Sequence, residues 1–130
     1  MVSKNGAPME TAEAVAALVT VLKGKRFRYN SERDLQDGME DVFKAQGFRY
    51  ERERELGPGD IVDFLLFGSV GVEVKIKGNP VDVARQLLRY AGRQEVAHIV
   101  LVTGKLSLGR LPEELLGKPV TVVALWRAFM

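Results

Sequence analysis

The segment Ile61–Phe67 (IVDFLLF) constrains the fold more than any other part of the chain, because six of its seven residues are apolar. So short and apolar a run is typical of a strand that is buried on both faces. A turn at Gly68-Ser69 follows it, and residues 71–77 (GVEVKIK) then alternate between apolar and charged side chains. The short connection predicts that the two strands are neighbours in one sheet.

The remaining segments predict a mixed α/β fold in the order α-α-β-β-β-α-β-(α)-β. Helix propensity is high over residues 9–23, and a second helix begins at the N-cap Ser31 and stops at Gly47. A third helix is capped by Asn79 and runs to about Ala91. The other predicted elements are strands over residues 48–56, 99–103 and 120–125 and a short helix over 111–116.

Two finer patterns predict which side chains share a face. The alternation over residues 48–56 places four side chains on one face of a strand, namely Phe48, Tyr50, Arg52 and Arg54. The apolar stripe of the third helix is predicted to be Val81, Ala84, Leu88 and Ala91. We expect one domain over residues 1–130, with residues 1–8 flexible.

Composition removes several classes of function. The chain has 130 residues, no Cys and one His, which excludes disulfides, thiol catalysis, iron–sulfur clusters and multi-histidine zinc sites. A metal ion would have to be hard and bound by oxygen ligands. The apolar stretch over residues 14–22 is shorter than the ~20 residues that span a bilayer. We therefore expect no membrane association and a cytoplasmic location.

Asp63, Glu73 and Lys75 are the candidate catalytic residues. Asp63 is a lone carboxylate in an apolar strand, which is costly unless a partner compensates it. If the two strands pair, Asp63 lies beside Glu73, and Mg²⁺ bound by both carboxylates and the Val74 carbonyl would offset their repulsion. Lys75, on the same strand face as Glu73, would orient a water or stabilise an oxyanion. The alternative is a solvated strand face with an ordinary Glu–Lys pair.

The third helix carries a second candidate group. Gln86 and Tyr90 lie four residues apart and share one helix face, and Arg85 and Arg89 form an adjoining pair. The Gln and Tyr side chains can hold a phosphate or a base, and the arginines can bind a nucleic-acid backbone. An ordinary amphipathic helix with a Gln–Tyr contact is the alternative.

Three segments together resemble the PD-(D/E)XK nuclease superfamily. They are GDIVDFLL, GVEVK and ARQLLRY, and Glu73 follows Asp63 by ten residues. The resemblance covers about residues 31–103 and implies a restriction-endonuclease-like core, α-β-β-β-α-β, with an extra N-terminal helix and a C-terminal strand. It implies Asp63, Glu73 and Lys75 as the catalytic triad. Val62 stands where the family has Pro.

The resemblance also assigns residues on two helices. Gln86 and Tyr90 match the Gln-xxx-Tyr feature of one branch of the family. The family places a metal-binding Glu on the helix before the first strand, and Glu32 is the best match here. Gln36 and Glu40, one and two turns further on, stay open as alternatives for the helical ligand.

By this resemblance, the expected function is Mg²⁺- or Mn²⁺-dependent endonucleolytic hydrolysis of DNA. A chain this short leaves no room for a sequence-reading domain, which favours recognition of DNA shape, as in Holliday junction resolvases, and a homodimer. Small phage and repair nucleases of this family are similar. Phosphate contacts are expected from Lys77, Arg85 and Arg89, with Arg26 and Arg28 as further candidates. The alternatives are a Gln-xxx-Tyr-type DNA exonuclease and a non-catalytic nucleic-acid-binding module.

Overall fold

The computed structural model describes residues 10–125. Its helices are α1 (Thr11–Lys23), α2 (Glu32–Gln46) and α3 (Pro80–Ala91). Its strands are β1 (Tyr50–Gly57), β2 (Asp60–Leu66), β3 (Val70–Lys75), β4 (His98–Thr103), β5 (Glu114–Leu115) and β6 (Lys118–Ala124), and a 3₁₀ turn spans Leu106–Arg110. The flexibility predicted for residues 1–8 concerns residues outside this range. Within it, no helix is long and apolar enough to cross a bilayer.

The strands form one mixed sheet in the order β1-β2-β3-β4-β6-β5. β3, β4 and β6 run parallel, whereas β1 with β2, β2 with β3 and β5 with β6 are antiparallel. Helices α1 and α2 cover one face of the sheet, and α3 covers the other. The mixed α/β class predicted from the sequence is confirmed, and α2, β1, β2, β3, α3 and β4 follow one another in the predicted order.

Capping fixes the ends of the two helices that flank the site described below. The Ser31 hydroxyl accepts a hydrogen bond from the Asp34 amide at 3.0 Å and so starts α2. Gly47, with φ 70°, ends α2 in the left-handed conformation that glycine adopts most readily. At α3 the Asn79 side chain accepts from the Asp82 amide at 2.9 Å. Both N-termini therefore begin where the sequence predicts.

Two apolar layers, one on each side of the sheet, hold the helices in place. Under α1 and α2 lie side chains such as Phe64 and Val72, and under α3 lie Leu65 and Leu101. Full burial of one such Phe or Leu side chain contributes roughly 1.5–3 kcal/mol. Because β2 contributes to both layers, five of its seven residues are apolar.

The β1–β2 hairpin changes faces half-way along its length. On β1, Arg52 contacts α2 through Glu40, whereas Leu56, four residues later, packs in the layer under α3. Glu53 lies between them with φ 51°, a conformation that an L-residue rarely adopts. This residue reverses the alternation, and Arg54 bonds to Glu95 beyond the end of α3 instead of following Arg52. The prediction that Arg52 and Arg54 share a face is wrong for this reason.

The same reversal occurs on β2. Phe64 packs in the layer under α1 and α2, whereas Val62 packs under α3. In a regular strand, every second side chain lies on the same face. Val62 and Phe64 lie on opposite faces, so the strand rotates between these two positions. Asp63 lies at the rotation, between Arg52 and Arg54 of the partner strand. The irregularity therefore falls at the one carboxylate inside the apolar strand.

Helix α3 faces the sheet with a different stripe from the one predicted. Two residues of the predicted stripe are exposed, Val81 at 60% and Leu88 at 43%. The buried residues are Val83, Leu87, Tyr90 and Ala91. Periodicity admitted both stripes, and the hydrogen bond from the buried Tyr90 hydroxyl to the Ile61 carbonyl turns Tyr90 toward the sheet. Of the predicted stripe, Ala91 is buried and Ala84 packs partly buried against the same layer, so the prediction is wrong for Val81 and Leu88.

The short helix predicted over residues 111–116 is wrong. Residues Glu114–Leu115 instead form β5, which pairs with the start of β6. Leu116 (φ 52°) and Gly117 (φ 76°) make the two-residue turn between them. Two consecutive positive φ values are the signature of a tight hairpin turn and are incompatible with a helix.

Candidate active site

The ladder between β2 and β3 stops short of the ends of both strands. Its last pair is Phe64 with Val72, whereas β3 stays paired with β4 as far as Lys75. The two strands therefore separate beyond that pair, and the next residues of each strand, Asp63 and Glu73, meet in the opening. We call this opening the fork, formed by Asp63, Glu73, Val74 and Lys75.

Each carboxylate in the fork takes the place of a missing backbone acceptor. The Val74 amide donates to Asp63 Oδ2 at 2.8 Å, and the Asp63 amide donates to Glu73 Oε1 at 3.2 Å. The N–H and C=O of a strand residue point toward the same neighbouring strand. The Val74 carbonyl therefore faces the fork as its amide does. The structure thus brings the three groups predicted to hold a metal ion to one place.

Burial sets the protonation of the two acids. Glu73 is 3% exposed; its burial, and then the charge of Asp63, raise the pKa of Glu73 to about 8. Burial also raises the pKa of Asp63, while the Lys75 charge opposes both shifts. Without a compensating cation, the pair therefore retains a proton at neutral pH. A divalent cation that binds here would displace it.

Lys75 and Tyr90 approach Glu73 from different sides. Lys75 Nζ lies 3.6 Å from Glu73 Oε2, and its side chain is 23% exposed, so the ammonium group reaches the mouth of the fork. The Tyr90 hydroxyl donates to the Ile61 carbonyl at 2.8 Å and lies 3.5 Å from Glu73 Oε2. Gln86 Nε2 in turn donates to the Tyr90 hydroxyl at 2.8 Å. Tyr90 is 1% exposed, so the Gln86–Tyr90 pair supports Glu73 from behind.

The three predicted ligands on helix α2 differ in their surroundings. The charge of Glu32 contributes to the raised pKa of Asp63, after burial. Gln36 instead accepts from Arg52 at 3.2 Å, and Glu40 accepts from the same guanidinium at 3.2 Å. Arg52 thus engages two of the candidates in a contact between α2 and β1. Glu32 is not engaged by Arg52.

The predicted phosphate-binding side chains are placed differently from one another. Lys77 is exposed just beyond the end of β3. Arg85 is 75% exposed and lies 4.0 Å from Asp82. Arg89 is half-exposed, but its Nε donates to Asp60 at 3.0 Å. Lys77 and Arg85 are therefore open to solvent, whereas Arg89 is engaged in an ion pair within the fold.

Sequence reasoning missed the ion pair that fixes the tip of the β1–β2 hairpin. Asp60 is 7% exposed and receives Arg93 Nη2 at 2.6 Å in addition to Arg89. The Arg93 guanidinium packs against Gly57 so closely that any Cβ there would collide with it. The sequence around Gly57 predicts only a turn, and nothing local marks Arg93 as its partner. Together with the bond from Tyr90 to the Ile61 carbonyl, this ion pair fastens the start of β2 to α3 and so holds the fork open.

The Asp60 ion pair predicts a pH-dependent difference in stability. Hydrogen bonds from Arg93, and then Arg89, hold the pKa of Asp60 below its usual range. Such a group stabilises the fold fully above the unfolded-state pKa, and the stabilisation is lost as the pH falls through the folded-state pKa. We expect the thermal midpoint of the wild type to exceed that of Asp60→Asn by a constant margin from pH 8 to about 5. Below about pH 4 this margin should shrink. The exposed Asp41→Asn is the control, and a margin unchanged down to pH 3 would refute this reading of the contact.

The oxygen donors of the fork fit a hard divalent cation. Among residues 10–125, no three His, Cys, Asp or Glu side chains are grouped so that they could hold a metal ion. The fork supplies two carboxylates, with the Val74 carbonyl facing them. Mg²⁺ characteristically binds through one or two carboxylates and keeps several waters. The donor set therefore suits Mg²⁺ or Mn²⁺ and is unsuited to zinc.

We compared the chain with models of known protein families, with curated proteins and with solved structures. None of the three comparisons found a match. A fold of this class hosts many functions, so the geometry of the fork carries the functional conclusion.

Proposed function

We propose that the chain is a divalent-metal-dependent DNA endonuclease of the PD-(D/E)XK type that hydrolyses phosphodiester bonds. The observation that carries the proposal is the fork, where Asp63 and Glu73 accept hydrogen bonds from opposite strands and Lys75 Nζ lies 3.6 Å from Glu73. Glu73 is buried and Asp63 is half-buried, and two acids so close together in a site largely removed from water are costly unless a cation compensates them. Selectivity for branched DNA and a homodimeric assembly belong to the proposal through the resemblance alone.

The residues of the fork divide the chemistry among them. Asp63, Glu73 and the Val74 carbonyl would hold Mg²⁺ or Mn²⁺, and the negative charge of Glu32 would act on Asp63 from a distance. The ion, when bound, neutralises charge on the phosphate and acidifies a water molecule. Lys75 places its ammonium group where a phosphate oxygen develops charge, and it can also orient the attacking water. Tyr90 and Gln86 hold Glu73 in position without meeting the substrate.

We expect purified protein to cut DNA in Mg²⁺ or Mn²⁺ and to stop when EDTA removes the metal. The test uses a four-way junction, a linear duplex and a single strand of matched sequence, each labelled at one end and resolved on a denaturing gel. Symmetric cuts near the branch point are the expected result. Cleavage that persists in EDTA would contradict the proposed metal site.

The same substrates separate the proposal from its two alternatives. A ladder of products shortened progressively from one end would identify an exonuclease. Binding to all three substrates without cleavage would identify a non-catalytic nucleic-acid-binding module. The second alternative has an observation in its favour, since the fork presents two acids and no third side chain groups with them to hold a metal among residues 10–125.

A further inference from the structure

The connector between α1 and α2, residues 24–31, crosses one edge of the sheet. At its start, Lys25 and Arg26 line a groove together with Leu125, next to the end of β6. Further along, the Tyr29 hydroxyl lies against Gly104, just past the end of β4. The connector then leads into α2 at Glu32, whose negative charge contributes to the raised pKa of Asp63 in the fork. It therefore passes the carboxyl ends of β6 and β4 before it leads into α2.

Alternate side chains of this connector point in opposite directions. Phe27 and Tyr29 are buried, at 6% and 8% exposure, in the layer under α1 and α2. Phe27 packs against Gly38 of α2, where a Cβ would lie 3.2 Å from its ring. Arg26 and Arg28 are exposed. Two aromatic anchors thus fix the backbone while two guanidinium groups face solvent.

The basic side chains of this connector differ from other arginines of the fold in their ion pairing. Arg52, Arg54 and Arg93 each pair with an acid. By contrast, no acid among residues 10–125 forms an ion pair with Lys25, Arg26 or Arg28. The groove at the start of the connector has a volume of about 550 Å³ and is lined by a further cation, Lys23.

Two more lysines continue the positive surface to the fork. Lys105 extends from the end of β4, and its Nζ donates to the Gly78 carbonyl at 2.6 Å. Lys77 is exposed beyond the end of β3. Neighbouring strands lie about 4.8 Å apart, so β6 and β3, with β4 between them, are separated by roughly 10 Å. The positive strip is thus continuous with the candidate active site.

We propose that the connector is a backbone-binding strip for DNA, which leads a phosphate chain from the α1–β6 groove across the strand ends to the fork. Arg26 and Arg28 would contact successive phosphates, since exposed cations on a fixed backbone recognise phosphate charge without reading sequence. The inference rests on the proposed function for its substrate and adds the path that the substrate takes. It gives a role to the connector, in which basic and aromatic residues alternate and which is not part of the fork.

Fluorescence anisotropy tests the strip without any need for cleavage. We would titrate a labelled 20-nucleotide single strand and its duplex in EDTA, with the wild type, Arg26→Ala/Arg28→Ala and the control Lys44→Ala/Arg49→Ala. The control removes the same charge from exposed positions away from the connector, at the end of α2 and before β1. Losing two phosphate contacts should reduce the slope of log K against log salt by about 1.4 for the single strand and about 1.8 for the duplex. Affinity at low salt should fall about tenfold or more, with the control close to wild type.

The outcomes distinguish failure of the strip from failure of the nuclease. Equal losses in the two double variants, or a wild type that binds neither DNA, would overturn the strip. If binding depends on Arg26 and Arg28 but the wild type cuts nothing in Mg²⁺ or Mn²⁺, the strip stands and the nuclease proposal fails. Circular dichroism melts of the variants check that they remain folded, so that a change in DNA affinity is not caused by a change in folding.

Discussion

Glu73→Gln should reduce DNA cleavage by at least about 10³-fold, equivalent to about 4 kcal/mol of transition-state stabilisation. The amide keeps the shape of the side chain but removes the negative charge that a divalent cation requires. Because burial already holds the pKa of Glu73 at about 8, a neutral amide is well suited to the folded protein without metal. We therefore expect a thermal midpoint no lower than that of the wild type in EDTA.

Single-turnover rates, measured with enzyme in excess, report this loss of cleavage without a contribution from weakened DNA binding. DNA affinity in EDTA should be close to that of the wild type, since Glu73 is only 3% exposed. Glu95→Gln is the matched control, because it makes the same substitution at a partly buried acid outside the fork, whose basic partner is Arg54 at 2.8 Å. A Glu73→Gln variant that cuts at the rate of the control would remove Glu73 from the mechanism.

Lys75→Ala should lower the single-turnover cleavage rate by about 10²–10³-fold, the usual effect of removing one group that stabilises developing charge. Lys75 Nζ lies 3.6 Å from Glu73 Oε2 and reaches solvent at the mouth of the fork, which is where a scissile phosphate would lie. Lys75→Arg keeps the charge but changes its geometry, so it should recover part of the rate.

The readout that separates catalysis from binding is the rate at saturating protein. If Lys75 only attracts DNA, then Lys75→Ala would raise the dissociation constant and cut at the wild-type rate once the substrate is saturated. That result would contradict the catalytic role. The exposed Lys44→Ala serves as a control for the loss of one positive charge.

Local patterns were sufficient to predict the elements that build the fork. The apolar run of β2, the alternation of β3 and the short turn between them place Asp63 and Glu73 side by side once the strands pair. Caps at Ser31 and Asn79 fix where α2 and α3 begin. These features depend on residues that are close together in the chain, and they can therefore be predicted from the sequence.

The features that depend on distant contacts could not be predicted in this way. The positive φ of Glu53 reverses the faces of β1, yet Glu is an ordinary residue for a regular strand. The partner of Asp60 is Arg93, 33 residues away, and several other arginines were equally plausible. The contact of Arg52 with Gln36 and Glu40, two of the three candidates for the helical ligand, is a further long-range feature that local spacing does not reveal.

Whether the fork holds a divalent ion is the most direct test of this account. Electron paramagnetic resonance of Mn²⁺, titrated into the DNA-free protein at pH 8 and then in the presence of duplex DNA, measures the bound ion itself. We expect the wild type to immobilise Mn²⁺, and Asp63→Asn to lose that binding while the Glu95→Gln control keeps it. Equal Mn²⁺ binding by the wild type and Asp63→Asn, or none by the wild type with DNA present, would contradict the account.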